Sequence, residues 1–174
     1  MNTVLFVCTA NQNRSPVAEA LLKRRIEESK AQSVDETTTQ PSLGTGSWIV
    51  RSAGTWAQTG YPATPRMIEA AAEVGLDLTR HHSCTVEDVQ PLTIFKLVLT
   101  MEQGQKEALQ MEFPNMANRI YCLTEMIDLK YDIEDPIGKK VERFRETIQE
   151  IDGILWHGFA RIRELSSSIG ESIK

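Results

Sequence analysis

The sequence predicts an α/β fold, a three-layer sandwich in which helices cover both faces of a four-stranded parallel sheet. Two observations carry this expectation. Short apolar runs alternate about four times with segments of helical periodicity, the pattern of strand–helix–strand units joined by right-handed crossovers. The runs themselves are continuous, as strands buried on both faces require. A chain of 174 residues suits one domain with a full core and is short for two, so residues 1–174 are read as a single domain.

Thr3 to Cys8 (TVLFVC) is rich in β-branched and aromatic residues and reads as the first strand. Ser15-Pro16 has the form of an N-cap followed by a first-turn proline. The helix after it carries Val17, Ala18, Leu21, Leu22 and Ile26 on one face and fades near Ser29. Residues from about 31 to 47, with Thr37-Thr38-Thr39, Pro41 and two glycines, read as a polar surface loop. Trp48 to Ser52 is the second strand, and Thr64-Pro65 again gives a cap and a proline before a helix that stops at Gly75. Ile94 to Thr100 is the third strand, with a helix from Glu102 to Phe113, and Arg119 to Leu123 the fourth strand. A long amphipathic helix over Lys139 to Leu165 closes the chain, weakened at Gly153 and Gly158. Trp156 is expected in its core face, and Lys23-Arg24-Arg25 on a solvated one.

Composition narrows the function classes. With 41% hydrophobic and 25% charged residues the chain is ordinary and globular. A net charge of -5 argues against a nucleic-acid binder, though not against a locally positive site. Cys8, Cys84 and Cys122 are too few and too scattered for a disulfide framework, and their spacing suits no metal, so a reducing, cytoplasmic setting is expected. The apolar run at Val4 to Val7 meets polar residues at once, which fits neither a signal peptide nor a membrane span.

The chemistry concentrates after the first strand, in Cys8-Thr9-Ala10-Asn11-Gln12-Asn13-Arg14-Ser15. In an open parallel sheet, ligands bind beyond the carboxyl ends of the strands, where this loop lies. Backbone N–H groups of a tight loop make an anion nest, and a helix N-terminus adds about half a positive charge. That field favours a phosphate dianion, and a thiolate over a thiol. Arg14 supplies a planar fork for two phosphate oxygens, and Ser15 a hydroxyl for the cysteine sulfur. A lone cysteine would be read as a small core residue; the full string of strand, C-x5-R-S-P and helix is far more restrictive.

The segment VLFVCTANQNRSPVAEALLK resembles the phosphate-binding loop of the low-molecular-weight protein tyrosine phosphatase family, which also includes bacterial protein arginine phosphatases and thioredoxin-coupled arsenate reductases. The similarity continues in RSAGTWAQTG, ATPRMIEAAAEVGLDLTRHHS, KLVLTMEQ and YDIEDPIG. It implies a four-stranded parallel sheet, a phosphocysteine intermediate on Cys8, Arg14 as phosphate clamp, and Asp135 of Asp135-Pro136 as general acid, then base. An acid is needed because a bare phenoxide or amide anion is costly to expel. Proline after Asp135 biases it to an extended conformation. By the same resemblance His81 is a structural residue.

Several positions depart from the family pattern. Ala10 stands where glycine is usual, which is tolerable if its φ stays negative. Asn11 matches the residue that takes a left-handed conformation and ties the loop. Asn13 replaces a second loop cysteine, so no disulfide can shield Cys8 within the loop. Thr100-Met101 stands where arsenate reductases carry a relay cysteine, and Cys84 reads as packing. Ile137 follows Asp135-Pro136 where an aromatic residue is common, and Gln12 does not discriminate among substrates. Trp56, after the second strand, is either an aromatic wall for the substrate or a plug at the base of its loop.

The expectation is thus a metal-free, cofactor-free hydrolase for protein phosphotyrosine. Cys8, Arg14 and Asp135 are its catalytic residues; Thr9, Ala10, Asn11, Gln12, Asn13, Ser15, Trp56 and Ile137 contact the substrate. Its partner is a phosphorylated protein, with no nucleic acid or membrane, and the chain acts as a monomer. Alternatives are a protein arginine phosphatase with the same machinery and a non-catalytic module that binds phosphoproteins or oxyanions.

Overall fold

The computed structural model describes residues 1–32 and 46–167. Four strands, β1 (Asn2–Cys8), β2 (Trp48–Gly54), β3 (Leu97–Thr100) and β4 (Ile120–Cys122), form one parallel sheet in the order β2-β1-β3-β4. The helices are α1 (Arg14–Gln32), α2 (Pro65–Glu73), α3 (Gln103–Glu112) and α4 (Val141–Ser167). β1 lies in the middle of the sheet and is buried along its whole length. Its alternate side chains serve two cores. Val4, Phe6 and Cys8 pack with α1, α2 and α4, whereas Leu5 and Val7 pack with Leu109 of α3 and with Val89 and Phe95. Helices therefore cover both faces, as the continuous apolar runs require.

Element ends differ from the sequence reading for local reasons. β3 begins at Leu97 because Leu92–Ile94 closes a 3-10 turn before it. Turns over Pro114–Arg119 and Leu123–Ile127 likewise trim β4 to three residues. α1 begins one residue before Ser15, with the Asn13 carbonyl accepting from the Val17 N–H, so Ser15 is not the cap but lies inside the first turn. It also runs past Ser29 to Gln32, taking the first two positions of the expected polar loop; residues 33–45 of that loop lie outside the described residues. Thr64 does cap α2, its hydroxyl accepting from the Met67 N–H with Pro65 in the first turn.

α4 continues through both glycines. At Gly158 a Cβ would come within 2.8 Å of the Met126 Cβ and 3.1 Å of its carbonyl oxygen, so the residue permits close helix packing. Trp156 is not in the core: it is 64% exposed, and the Arg25 guanidinium lies 4.6 Å from its ring centroid. Nor is the basic triplet merely solvated. Arg25 is mostly buried and pairs with Asp152 at 2.8 Å, tying α1 to α4. No helix among the described residues is long and apolar enough to cross a membrane.

Candidate active site

Cys8 is the last residue of β1 and is buried, at the carboxyl end of the sheet. The chain then turns through residues 9–13 into α1. Asn11 makes that turn possible. Its φ is +54°, and Asn11 and Asp128 are the only non-glycine residues with positive φ among those described, so Ala10 needs no glycine-like conformation. Fully buried, Asn11 ties the loop in three directions. Its amide nitrogen donates to Ser15 Oγ (2.9 Å), its amide oxygen accepts from the Cys84 N–H (2.9 Å), and its carbonyl accepts from His81 Nε2 (2.6 Å).

A carbonyl only accepts, so His81 carries its proton on Nε2. Burial lowers its pKa below the ordinary histidine value, against the opposing pull of the Asn11 carbonyl and Glu19. A neutral imidazole that braces the loop matches the structural role expected of it.

Ser15 Oγ lies 2.9 Å from Cys8 Sγ and 3.3 Å from the Ala53 carbonyl. Asn11 already donates to this oxygen, so the single hydroxyl proton is free for one acceptor. With Cys8 as thiolate it can go to the sulfur; with Cys8 as thiol it can go to Ala53. The N–H groups of Ala10, Asn11, Gln12 and Asn13 donate to no carbonyl or side chain among the described residues, as an anion nest requires.

Arg14 is almost wholly buried, and the fold meets most of its donors. Nη1 donates to the Ile133 carbonyl (2.7 Å) and pairs with Glu102, while Nη2 pairs with Asp135 Oδ2 at 2.8 Å. Nε is buried with no partner among the described residues. Burial disfavours the charged guanidinium, but Asp135, Cys8 and Glu102 outweigh it, and its pKa is raised above the ordinary value. The arginine is held charged and in one orientation.

Asp135 is partly exposed and comes from the segment between β4 and α4. Besides Arg14, it accepts from Asn13 Nδ2 (3.2 Å) and from the Ile137 N–H (3.1 Å), both on Oδ1. Asn13, also buried, accepts on Oδ1 from the Thr64 hydroxyl (2.5 Å). The loop, the start of α2 and the Asp135 segment thus meet at one place.

The remaining expected residues surround it. Thr9 is exposed, and its hydroxyl accepts from Gln105 (3.1 Å). Gln12 donates its amide to the Pro62 carbonyl (3.1 Å), which turns it toward the rim. Trp56 is 85% exposed, so it is no plug; its backbone N–H donates to the Thr9 carbonyl (2.9 Å), which sets it beside the loop. Ile137, two residues after Asp135, is exposed as well. Cys84 is half-buried, donates its thiol to the Ser52 carbonyl (3.3 Å), and has its pKa raised by burial, which does not suit a relay nucleophile.

Sequence reading missed Glu102, Gln105 and the Ile133 carbonyl. Glu102 caps α3, and Gln105 answers it through the Glu102 N–H (3.1 Å) and also reaches Thr9. Their signal was position: both follow the carboxyl end of β3, where site residues of parallel sheets gather. Gly54 ends β2 beneath the loop. A Cβ there would lie 2.5 Å from the Thr9 carbonyl oxygen and 3.0 Å from the Asn11 nitrogen, so the loop needs a glycine beneath it. Among the described residues no group of histidine, cysteine and carboxylate side chains could hold a metal.

Comparison with known proteins places this arrangement. The chain is 30% identical over 165 residues to a probable low molecular weight protein-tyrosine-phosphatase, EpsP of Ralstonia nicotianae, covering 95% of this chain and 99% of that one. It is 30% identical over 153 residues to the protein-arginine-phosphatase of Bacillus subtilis, covering 87% and 91%. Among solved structures, the YwlE arginine phosphatase, as a cysteine-to-serine mutant with a phosphorylated active-site serine, superposes with a TM-score of 0.76 at 27% identity, covering 96% and 97%. Residues 3–167 match the model of the low molecular weight phosphotyrosine protein phosphatases, and the chain belongs to that family.

Proposed function

We propose that residues 1–174 act as one cytoplasmic, monomeric phosphatase domain that hydrolyses phosphotyrosine in proteins through a phosphocysteine on Cys8. The observation that carries this reading is the Arg14–Asp135 pair at 2.8 Å, which brings a carboxyl group to a loop that already holds a cysteine and unpaired donors. The Cys8 thiolate attacks phosphorus and the P–O bond to tyrosine breaks. Asp135 passes its proton to the leaving phenoxide oxygen. Water then attacks phosphorus and gives a proton to the Asp135 carboxylate. The S–P bond breaks, thiolate leaves with the Ser15 hydroxyl on its sulfur, and phosphate is released.

Arg14 Nε and the loop N–H groups are the donors for the phosphoryl oxygens, fixed before the substrate arrives, so little reorganisation is left for the transition state. The phosphorylated serine of the YwlE mutant supports a phosphoenzyme at this position of the fold. Exposed Trp56 beside Thr9, with Ile137 near Asp135, offers apolar surface to a phenyl ring. A second reading, phosphoarginine as substrate, is favoured by the equal 30% identity to the Bacillus subtilis arginine phosphatase.

Initial rates on phosphotyrosine and phosphoarginine peptides, with Cys8→Ser as control, decide among these. Cys8-dependent turnover of phosphotyrosine in clear excess is the expected result. Preference for phosphoarginine would move the substrate. Absence of turnover of either, with phosphate still bound, would leave only a binding module.

A further inference from the structure

We infer that Asn13 is a positioning residue for Asp135, through a bridge from Thr64 to Asn13 to Asp135. This rests on the reading of Asp135 as general acid. Asn13 is 3% exposed and both ends of its amide are engaged, with Thr64 Oγ1 donating to Oδ1 at 2.5 Å and Nδ2 donating to Asp135 Oδ1 at 3.2 Å. The orientation follows from chemistry. The Thr64 hydroxyl oxygen already accepts from the Met67 N–H, so its proton goes to the amide oxygen of Asn13, and the amide nitrogen is left to face Asp135. A cysteine at this place could not do both strongly, since a thiol is a weak donor and a weak acceptor.

The bridge adds what the other contacts of Asp135 lack. Arg14 holds Oδ2, and the Ile137 N–H closes a contact within the same segment. Among the described residues only Asn13 links the carboxyl group to α2, because Thr64 is the capping residue of that helix. The side chain that replaces a loop cysteine therefore ties the loop, a helix cap and the acid together. A general acid works only within hydrogen-bond reach of its leaving oxygen, and small displacements are costly. With the bridge cut, Asp135 keeps its charge partner but loses a fixed direction for Oδ1.

The test is Asn13→Ala, with Thr64→Val cutting the far end should the first variant fold poorly. Asn13→Ala is expected to lose about tenfold in kcat on a phosphotyrosine peptide and only about twofold on 2,4-dinitrophenyl phosphate, whose leaving group needs no proton. Vanadate inhibition should stay within about threefold, and Asn13→Ala should cost little more in an Asp135→Asn background. Thr64→Val should shift the substrate ratio the same way by a smaller factor. In amide hydrogen exchange, the Ile137 N–H should exchange about tenfold faster in Asn13→Ala. Equal losses on both substrates, weakened vanadate binding, additivity with Asp135→Asn, or unchanged Ile137 exchange would each overturn the bridge. Should the wild-type protein show no Cys8-dependent turnover, the phosphatase reading fails by itself, and the exchange measurement still decides whether Asn13 anchors Asp135.

Discussion

Arg14 Nη2 and Asp135 Oδ2 lie 2.8 Å apart, although 121 positions separate them in the chain. Arg14 belongs to the first turn of α1 and Asp135 to the segment before α4. The contact joins the proposed phosphate clamp to the proposed general acid. Glu102 and the Ile133 carbonyl hold Nη1, so the orientation of the guanidinium does not depend on Asp135 alone.

Replacing Asp135 by asparagine removes the proton but keeps the shape. On phosphotyrosine peptides the loss should be about 10²- to 10⁴-fold, and on activated aryl phosphates at least tenfold smaller. Steady-state kcat on both substrates checks this. Equal losses would place the acid elsewhere.

Gly54→Ala tests whether the second strand shapes the loop. The added Cβ would sit 2.5 Å from the Thr9 carbonyl oxygen, and a backbone atom cannot swing away as a side chain can. The expected outcome is a stability loss of about 1–3 kcal/mol and a weakened phosphate affinity. Denaturant unfolding and phosphate inhibition read the two effects separately. Unchanged phosphate affinity would show that the loop tolerates the shift.

Stability should depend on His81 in mild acid. Its pKa in the folded protein is below the ordinary value, chiefly because it is buried. Above about pH 6.5 both folded and unfolded forms are neutral, and nothing is lost. As pH falls below that value the unfolded chain binds a proton that the folded one resists, so stability falls until the folded pKa is passed. Glu73, Asp77, Asp88, Glu125 and Glu134 have lowered pKa values and lose stability only in more acid solution, which keeps the windows apart. Melting temperatures between pH 7.5 and 5.5 should decline in the wild type and decline less in His81→Gln. Parallel slopes would remove His81 as the cause.

Peroxide should inactivate the protein beyond rescue. The loop holds no cysteine besides Cys8, and the other thiols are engaged elsewhere, Cys84 with the Ser52 carbonyl and Cys122 with Gln103. Without a neighbouring thiol to trap the sulfenic acid, Cys8 proceeds to sulfinic acid. Activity after thiol treatment, with the mass of the Cys8 peptide, provides the check. Full recovery would mean that a partner thiol reaches Cys8.

The loop was legible because its chemistry is local. Cys8, Arg14 and Ser15 lie within eight residues, and the strand and helix on either side show their periodicity directly. Asp135 was legible only through resemblance, since an Asp-Pro pair alone is a common turn signal. Glu102, Gln105 and Gly54 were not read as site residues. A glutamate and a glutamine after an apolar run also make an ordinary helix cap, and a glycine at a strand end also makes an ordinary turn. Trp156 was misplaced: it lies about 100° round α4 from buried Leu155, off the face that carries Ile148, Ile151 and Ile162, where the Arg25 guanidinium covers its ring.

The sequence by itself determined the fold class and singled out the loop proposed to bind the anion, with Cys8 as its proposed nucleophile, since these depend on periodicity and on neighbours along the chain. Tertiary structure alone decided the electrostatics of Arg14 and the partners of Asn13. Both depend on side chains about 50 to more than 100 positions away, brought together by the sheet order β2-β1-β3-β4 and the loops that gather at its carboxyl end. Hydrogen bonds and ion pairs act over a few ångströms, and no spacing along the chain records which distant residue will fill that distance.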